Sequence, residues 1–97
     1  MLTVEWSKHA RADLLAILDY ISDDNAAAAW RLKDEIDRRI DHLRDHPRLY
    51  KAGREAGTRE MVVQENYLVI YMEDARGLLI LRILHTAQRW PELKGEL

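Results

Sequence analysis

Ninety-seven residues make one domain, expected to span 1–97, with room for one modest core. Cysteine is absent, which excludes a disulfide framework and a Cys-based zinc site. Fifteen Lys and Arg stand against seventeen Asp and Glu, a net −2, so the chain lacks the excess of base that a phosphate-gripping protein carries.

In chain order, LTVEW (Leu2 to Trp6) alternates and is rich in β-formers, which predicts a first strand. Ser7 is placed to cap a helix from Lys8, with Ala10, Leu14, Ile17, Leu18 and Ile21 on one face. SDDN at 22–25 is a stop and restart, where Asp24 or Asn25 can cap a second helix. That helix is predicted over 26–46, with Ala29, Leu32, Ile36, Ile40 and Leu43 as its apolar stripe and Pro47 closing it. So short a connection predicts an antiparallel helix hairpin. Residues 48–57 read as irregular. TREMVV (58–63), YLVIYM (67–72) and LLILRILH (78–85) read as three strands joined by tight turns, an antiparallel meander.

The predicted fold is therefore α+β, in the order β-α-α-β-β-β, with the helix hairpin packed on a small, mostly antiparallel sheet. The strands are apolar on both sides. The hairpin covers one face, which leaves the other as a partner surface unless the sheet curls to protect itself. Trp6 and Trp30 are expected in the core or at its edge. Leu15 and Trp30 also fall outside the main helical stripes, where a partner helix has room to lie.

Polar chemistry collects after the last strand, in His85, Gln88, Arg89 and Trp90. His85 is a proton carrier or a strand-end hydrogen bonder. Trp90 is a hydrophobic anchor or a lid on the core edge. Tyr67 and Tyr71 share a face of their strand, as an aromatic ledge or as core. Arg59 is the cation best placed on the middle strands, and Lys51 and Arg54 lie in the loop beyond Pro47. Arg82 is expected on the face opposite His85. His42 and His46 have i, i+4 spacing but lack the Glu of an H-E-x-x-H site, so no metal is expected, and no cofactor motif is present. The opening MLTVEWSKHARADL lacks the apolar region of a signal peptide, and no stretch approaches the ~20 apolar residues of a membrane span. A cytoplasmic location without a membrane role is expected.

Four segments, in this order, resemble the RelE/ParE superfamily of toxins from type II toxin–antitoxin modules. VEWSKHARADLLAILDYI is similar to the family's opening strand and its A-x-x-D-L-x-x-I-x-x-Y-I helix. LRDHPRLYKAG resembles the H-P segment after the second helix. TREMVVQENYLVIY resembles the R-E-hydrophobic-V and N-Y-hydrophobic-V-x-Y strands. ILRILHTAQRWP resembles the closing strand with its I-x-H-x-x-R-hydrophobic-P end. The resemblance implies a toxin held inactive by a cognate antitoxin. RelE-like members cleave mRNA on the ribosome, and ParE-like members interfere with DNA gyrase.

Residue chemistry favours the ParE-like branch. Cleavage at a 2′-hydroxyl needs a base, an acid and cations around the charged transition state. After Arg59 come Met61, Val62 and Val63, and WPELKGEL after Arg89 has no Tyr. The near-neutral charge also argues against a dense phosphate target. If RNA cleavage is the activity, His85, Arg59 and Arg89 are the catalytic candidates. Otherwise no catalytic residue is expected. Target or partner contact is then assigned to Arg59, Tyr67, His85, Arg89, Trp90, Lys51 and Arg54. His85, Arg89 and Trp90 are expected to meet Arg59 in one recognition corner. A non-toxic remnant that only binds its antitoxin is the third reading.

Overall fold

A computed structural model describes residues 2–88. Its elements are β1 (Thr3–Trp6), α1 (Lys8–Asp24), α2 (Ala26–Leu43), β2 (Arg59–Val63), β3 (Tyr67–Asp74) and β4 (Gly77–His85). The order and the α+β class are those expected. The sheet runs β1-β4-β3-β2, with β2, β3 and β4 antiparallel and β1 added parallel to β4.

Single polar residues set the helix boundaries. The Ser7 hydroxyl oxygen accepts the Ala10 N–H at 3.0 Å, and the hydroxyl donates to the Leu81 carbonyl at 2.8 Å. It therefore caps α1 and pins that cap to the sheet. Asn25 ends one helix and begins the next. Its N–H donates to the Ile21 carbonyl at 2.9 Å, and its side-chain oxygen accepts from Ala28 N–H at 3.0 Å. The second helix stops at Leu43, short of the expected His46. The amides of Arg44, Asp45 and His46 turn back to carbonyls three residues earlier, a tightened final turn, because Pro47 disfavours α geometry at His46.

β3 runs two residues further than expected, to Asp74, which pairs with Gly77 across a two-residue turn. The Asp74 carboxylate accepts the N–H groups of Arg76 and Gly77. Gly77 is required for closeness, since a Cβ there would lie 2.3 Å from the Thr3 carbonyl oxygen of β1.

The core lies between the hairpin and one face of the sheet. Leu32, Ile36, Ile40 and Leu43 of α2 meet Met61, Val63, Val69, Tyr71, Leu78, Ile80 and Ile83. α2 buries its whole stripe, whereas α1 buries only Ala10 fully. α1 is held instead along the edge of β4. Pairing shifts at Ile70/Tyr71, so that Ile70 faces Arg82 while Tyr71 faces Ile80, and Leu81 is the extra residue of a bulge. β1 reaches only to Ile80, and beyond it Asp13 of α1 takes the exposed edge. Its carboxylate accepts the Ile83 N–H at 3.0 Å and two guanidinium N–H groups of Arg82 at 2.7 and 3.0 Å.

One open expectation is decided and another needs correction. The sheet face turned from the helices is closed, with Leu68, Ile70 and Leu84 buried and Ile70 completely so. Of the two outcomes the sequence left open, an exposed partner surface or a protected face, the exposed one is not found; Val62 is the one exposed large apolar side chain on that face among the described residues. Trp30 is not at a core edge but 66% exposed, because the stripe of α2 that faces the sheet passes through Ala29 and Leu32 and turns position 30 outward.

Candidate functional site

The candidate residues divide between the two ends of β3. Antiparallel pairing sets Arg59 opposite Tyr71, and Tyr67 opposite both Val63 and His85. Arg59 and His85 are therefore four positions apart along β3, roughly 13 Å at the rise of a strand. The single corner expected from sequence does not form, because a hairpin reverses direction and sends the start of β2 to the far end of β3. Arg89 and Trp90, its other two members, lie outside the described residues.

At the first end, side chains of the sheet grip the loop after α2. The Arg59 guanidinium donates to the Tyr50 carbonyl at 2.6 Å and to the Arg48 carbonyl at 3.5 Å. The Tyr71 hydroxyl donates to the Pro47 carbonyl at 3.0 Å. Burial pushes the Tyr71 phenol up to about 12, against a partial lowering by the Arg59 charge. Arg39 of α2 adds bonds to the Tyr50 hydroxyl at 3.2 Å and the Val62 carbonyl at 3.0 Å.

The chain then folds back along β2. Ala52 bridges to Arg59, the Glu60 N–H donates to the Lys51 carbonyl at 3.3 Å, and the Gly53 N–H donates to the Thr58 carbonyl at 2.7 Å. Gly53 has no space for a side chain, as a Cβ would fall 2.3 Å from the Thr58 hydroxyl. Glu60 is buried, accepts the Arg54 N–H at 3.0 Å and lies 3.8 Å from the Arg54 guanidinium. Lys51, Arg54 and Arg59 are thus neighbours, with Lys51 and Arg54 exposed and Arg59 half-buried.

At the other end His85 is exposed and stands edge-on to Tyr67, with ring centroids 5.5 Å apart. Its Nδ1 accepts the Ala87 N–H at 3.0 Å. In the neutral ring that bond leaves the hydrogen on Nε2, which is then a donor. The Gln88 side chain accepts the His85 N–H at 2.7 Å, and Thr86 N–H donates to the Asn66 carbonyl at 2.7 Å. The turn beside it holds Gln64 and Glu65 at φ of 52° and 64°, a left-handed pair without glycine.

Other candidates are placed plainly. Tyr71 is core and Tyr67 packs half-buried at its edge. Arg82 bonds to Asp13, away from His85. The rings of His42 and His46 lie 4.7 Å apart, and among the described residues no group of three or more metal-ligating side chains occurs.

Sequence reading missed Glu60, Asp13 and the grip of Arg59 and Tyr71 on the loop. The register was available, since a three-residue turn after Val63 already sets Arg59 against Tyr71. Burial of Glu60 depends on the path of residues 51–58, which has no periodic signal.

Comparison with known proteins defines the class. Residues 4–90 match the ParE toxin family of the type II toxin–antitoxin system parDE. The chain belongs to that family. It is 37% identical over 89 residues to a Caulobacter vibrioides protein named toxin RelE2, covering 91% of this chain and 99% of that one. In fold it is similar to a structure described as a chromosomal ParDE TA system from P. aeruginosa, at TM-score 0.75 and 21% identity, covering 88% of this chain and 96% of that one. It is also similar to the Helicobacter pylori protein HP0894, at TM-score 0.56 and 19% identity, over 91% and 98% of the two chains. The protein is a type II toxin of the RelE/ParE superfamily, a membership that implies a cognate antitoxin. Among the described residues no helix is long and apolar enough to cross a membrane.

Proposed function

We propose that this toxin arrests growth in the cytoplasm by binding a protein target, DNA gyrase, rather than by cutting RNA, and that its antitoxin blocks that contact. The observation that carries the reading is the separation of Arg59 from His85, one at each end of β3. A cleaving site needs its base and its cations around one phosphate. Here the cation bonds to loop carbonyls and the imidazole presents a donor. Such groups serve recognition without proton transfer. Arg59, Lys51 and Arg54 at one end, and Tyr67 and His85 at the other, are the contact candidates, with Arg89 and Trp90 beyond them in sequence.

The RelE name of the Caulobacter relative supports a second reading, ribosome-dependent mRNA cleavage through His85, Arg59 and Arg89. Purified gyrase and a translating extract separate the two. Inhibition of supercoiling with intact transcripts is expected. Transcript cleavage in the extract, lost in His85→Ala, with supercoiling untouched, would replace the first reading by the second. Absence of growth arrest on expression without antitoxin would leave only an antitoxin-binding remnant.

A further inference from the structure

The two edges of the sheet are finished differently. At β2 the chain covers its own edge: Ala52 bridges to Arg59, the Lys51 carbonyl takes the Glu60 N–H, and Arg39 reaches the Val62 carbonyl. Past the end of β1, the Ser7 hydroxyl and the Asp13 carboxylate occupy Leu81 and Ile83 of β4. β1 itself pairs with β4 alone, and among the described residues no such cover lies along its other side. It carries neither Pro nor Lys, residues that commonly blunt an edge.

Two contacts fix which backbone groups of β1 look outward. The Ser7 N–H donates to the Ile80 carbonyl at 2.9 Å. The Thr3 nitrogen and carbonyl oxygen both crowd Gly77, where a Cβ would lie 2.9 and 2.3 Å from them. Backbone groups alternate along a strand, so Thr3 and Glu5 turn to β4 while Leu2, Val4 and Trp6 turn their N–H and C=O away from it. The side chains of Leu2, Val4 and Trp6 share the helix-side face, where they are half-buried against the core. Val4 and Trp6 line, with Ile40 of α2, a groove of about 200 Å³. Its charged members are already paired, Asp37 with Lys33 and Asp41 with Arg44, so apolar contact decides what lies against it.

A row of outward N–H and C=O groups takes an extended strand, and β1 fits itself. In an antiparallel pair centred on Val4, Val4 faces Val4, Leu2 faces Trp6, and Thr3 faces Glu5. All three outward residues then exchange backbone bonds, and the apolar side chains form one ladder on the helix side. Centring on Glu5 instead opposes two like charges, and centring on Trp6 sets Val4 against Lys8, already in α1. Glu5 also keeps Arg76, at 3.7 Å, on the other face. We propose that two copies of this chain join edge to edge through β1 in the Val4-centred register, making one continuous sheet. This surface lies apart from the His85 end and does not depend on gyrase being the target.

Sedimentation velocity on the full chain without antitoxin, over a concentration series up to about 1 mM, tests it. A monomer–dimer equilibrium is expected. Val4→Pro removes the central outward N–H and leaves the bonds of Thr3 and Glu5 to β4 in place, so it should weaken the dimer by at least about tenfold. Thr3→Lys, which sets an ammonium opposite Glu5, should tighten it about fivefold, and Thr3→Glu should loosen it by as much. Far-UV circular dichroism checks that the variants fold. Hydrogen exchange in the unaltered protein gives a readout free of mutation: the Val4 and Trp6 amides should gain protection as concentration rises. A chain that stays monomeric throughout the series overturns the proposal. So does a dimer that is indifferent to Val4→Pro and to both charges at position 3, or one that is lost in Trp30→Ser instead, which would assign self-association to the outer face of the hairpin.

Discussion

The two ends of β3 are built on opposite plans. Around Tyr71 the sheet turns buried polar groups outward to fasten the loop over it, and Arg59, which looks like a free cation in the sequence, spends its donors on backbone carbonyls. Around Tyr67 the imidazole is exposed and the hydrogen bonds are local, reaching no further than Asn66 and Gln88. One end is scaffold that presents a neighbouring surface, while the other carries its chemistry in the open. Substitutions should therefore act mainly on stability at the first end and mainly on function at the second.

The strongest break in that contrast is Tyr71→Ala. A completely buried aromatic ring and its bond to Pro47 are lost together, which should cost about 3–5 kcal/mol in urea unfolding. A loss no larger than that of Tyr67→Ala would erase the distinction.

Asp13→Ala is next. It strips the Ile83 N–H and the Arg82 guanidinium of their shared acceptor in a mostly buried setting and should cost about 2–4 kcal/mol. An effect below about 1 kcal/mol would mean that α1 does not hold the edge of β4.

Alkaline pH sharpens the comparison. The folded phenol of Tyr71 titrates near 12, above its ordinary value of 10.0, so the native state holds that proton more tightly. Its contribution is complete below pH 10 and is lost as pH rises toward 12, on the order of 2–3 kcal/mol. Stability curves at pH 9 to 12 should show that fall in the parent and lack it in Tyr71→Phe.

Arg59→Ala should cost about 1–2 kcal/mol, since the Tyr50 and Arg48 carbonyls it leaves can turn to water. The smallest stability effect belongs to His85→Ala, within ~0.5 kcal/mol. If the open end contacts the target, growth arrest should nevertheless fall in that variant at equal protein level. Full toxicity would move the contact elsewhere.

Much of the architecture was legible because it is periodic. The stripe Ala29, Leu32, Ile36, Ile40 and Leu43 is the buried face of α2, and Ser7 and Asn25 are caps where short polar residues precede apolar spacing. The site was less legible because it is made by pairing. Arg59 faces Tyr71 through a register that hairpin arithmetic already contained, yet grouping by residue type drew it toward His85. The bulge at Leu81, the reach of Asp13 to Ile83 and the burial of Glu60 arise from contacts between distant segments, and nothing in their own neighbourhoods announces them. Trp30 misled because a large aromatic ring suggests a core wherever it occurs, while the phase of the helix decides.

The parallel pairing of β1 with β4 joins Thr3 to Gly77 and Trp6 to Ile80, and the Ser7 hydroxyl extends it to the Leu81 carbonyl. During synthesis the first strand must wait for the last before it has any strand to lie beside, since such long-range contacts form only after most of the chain exists. A ribosome that stalls or releases its product before Gly77 yields a polypeptide whose amino-terminal segment has no place to dock. Interrupted translation of this reading frame thus ends in an unfinished sheet, fit for proteolysis.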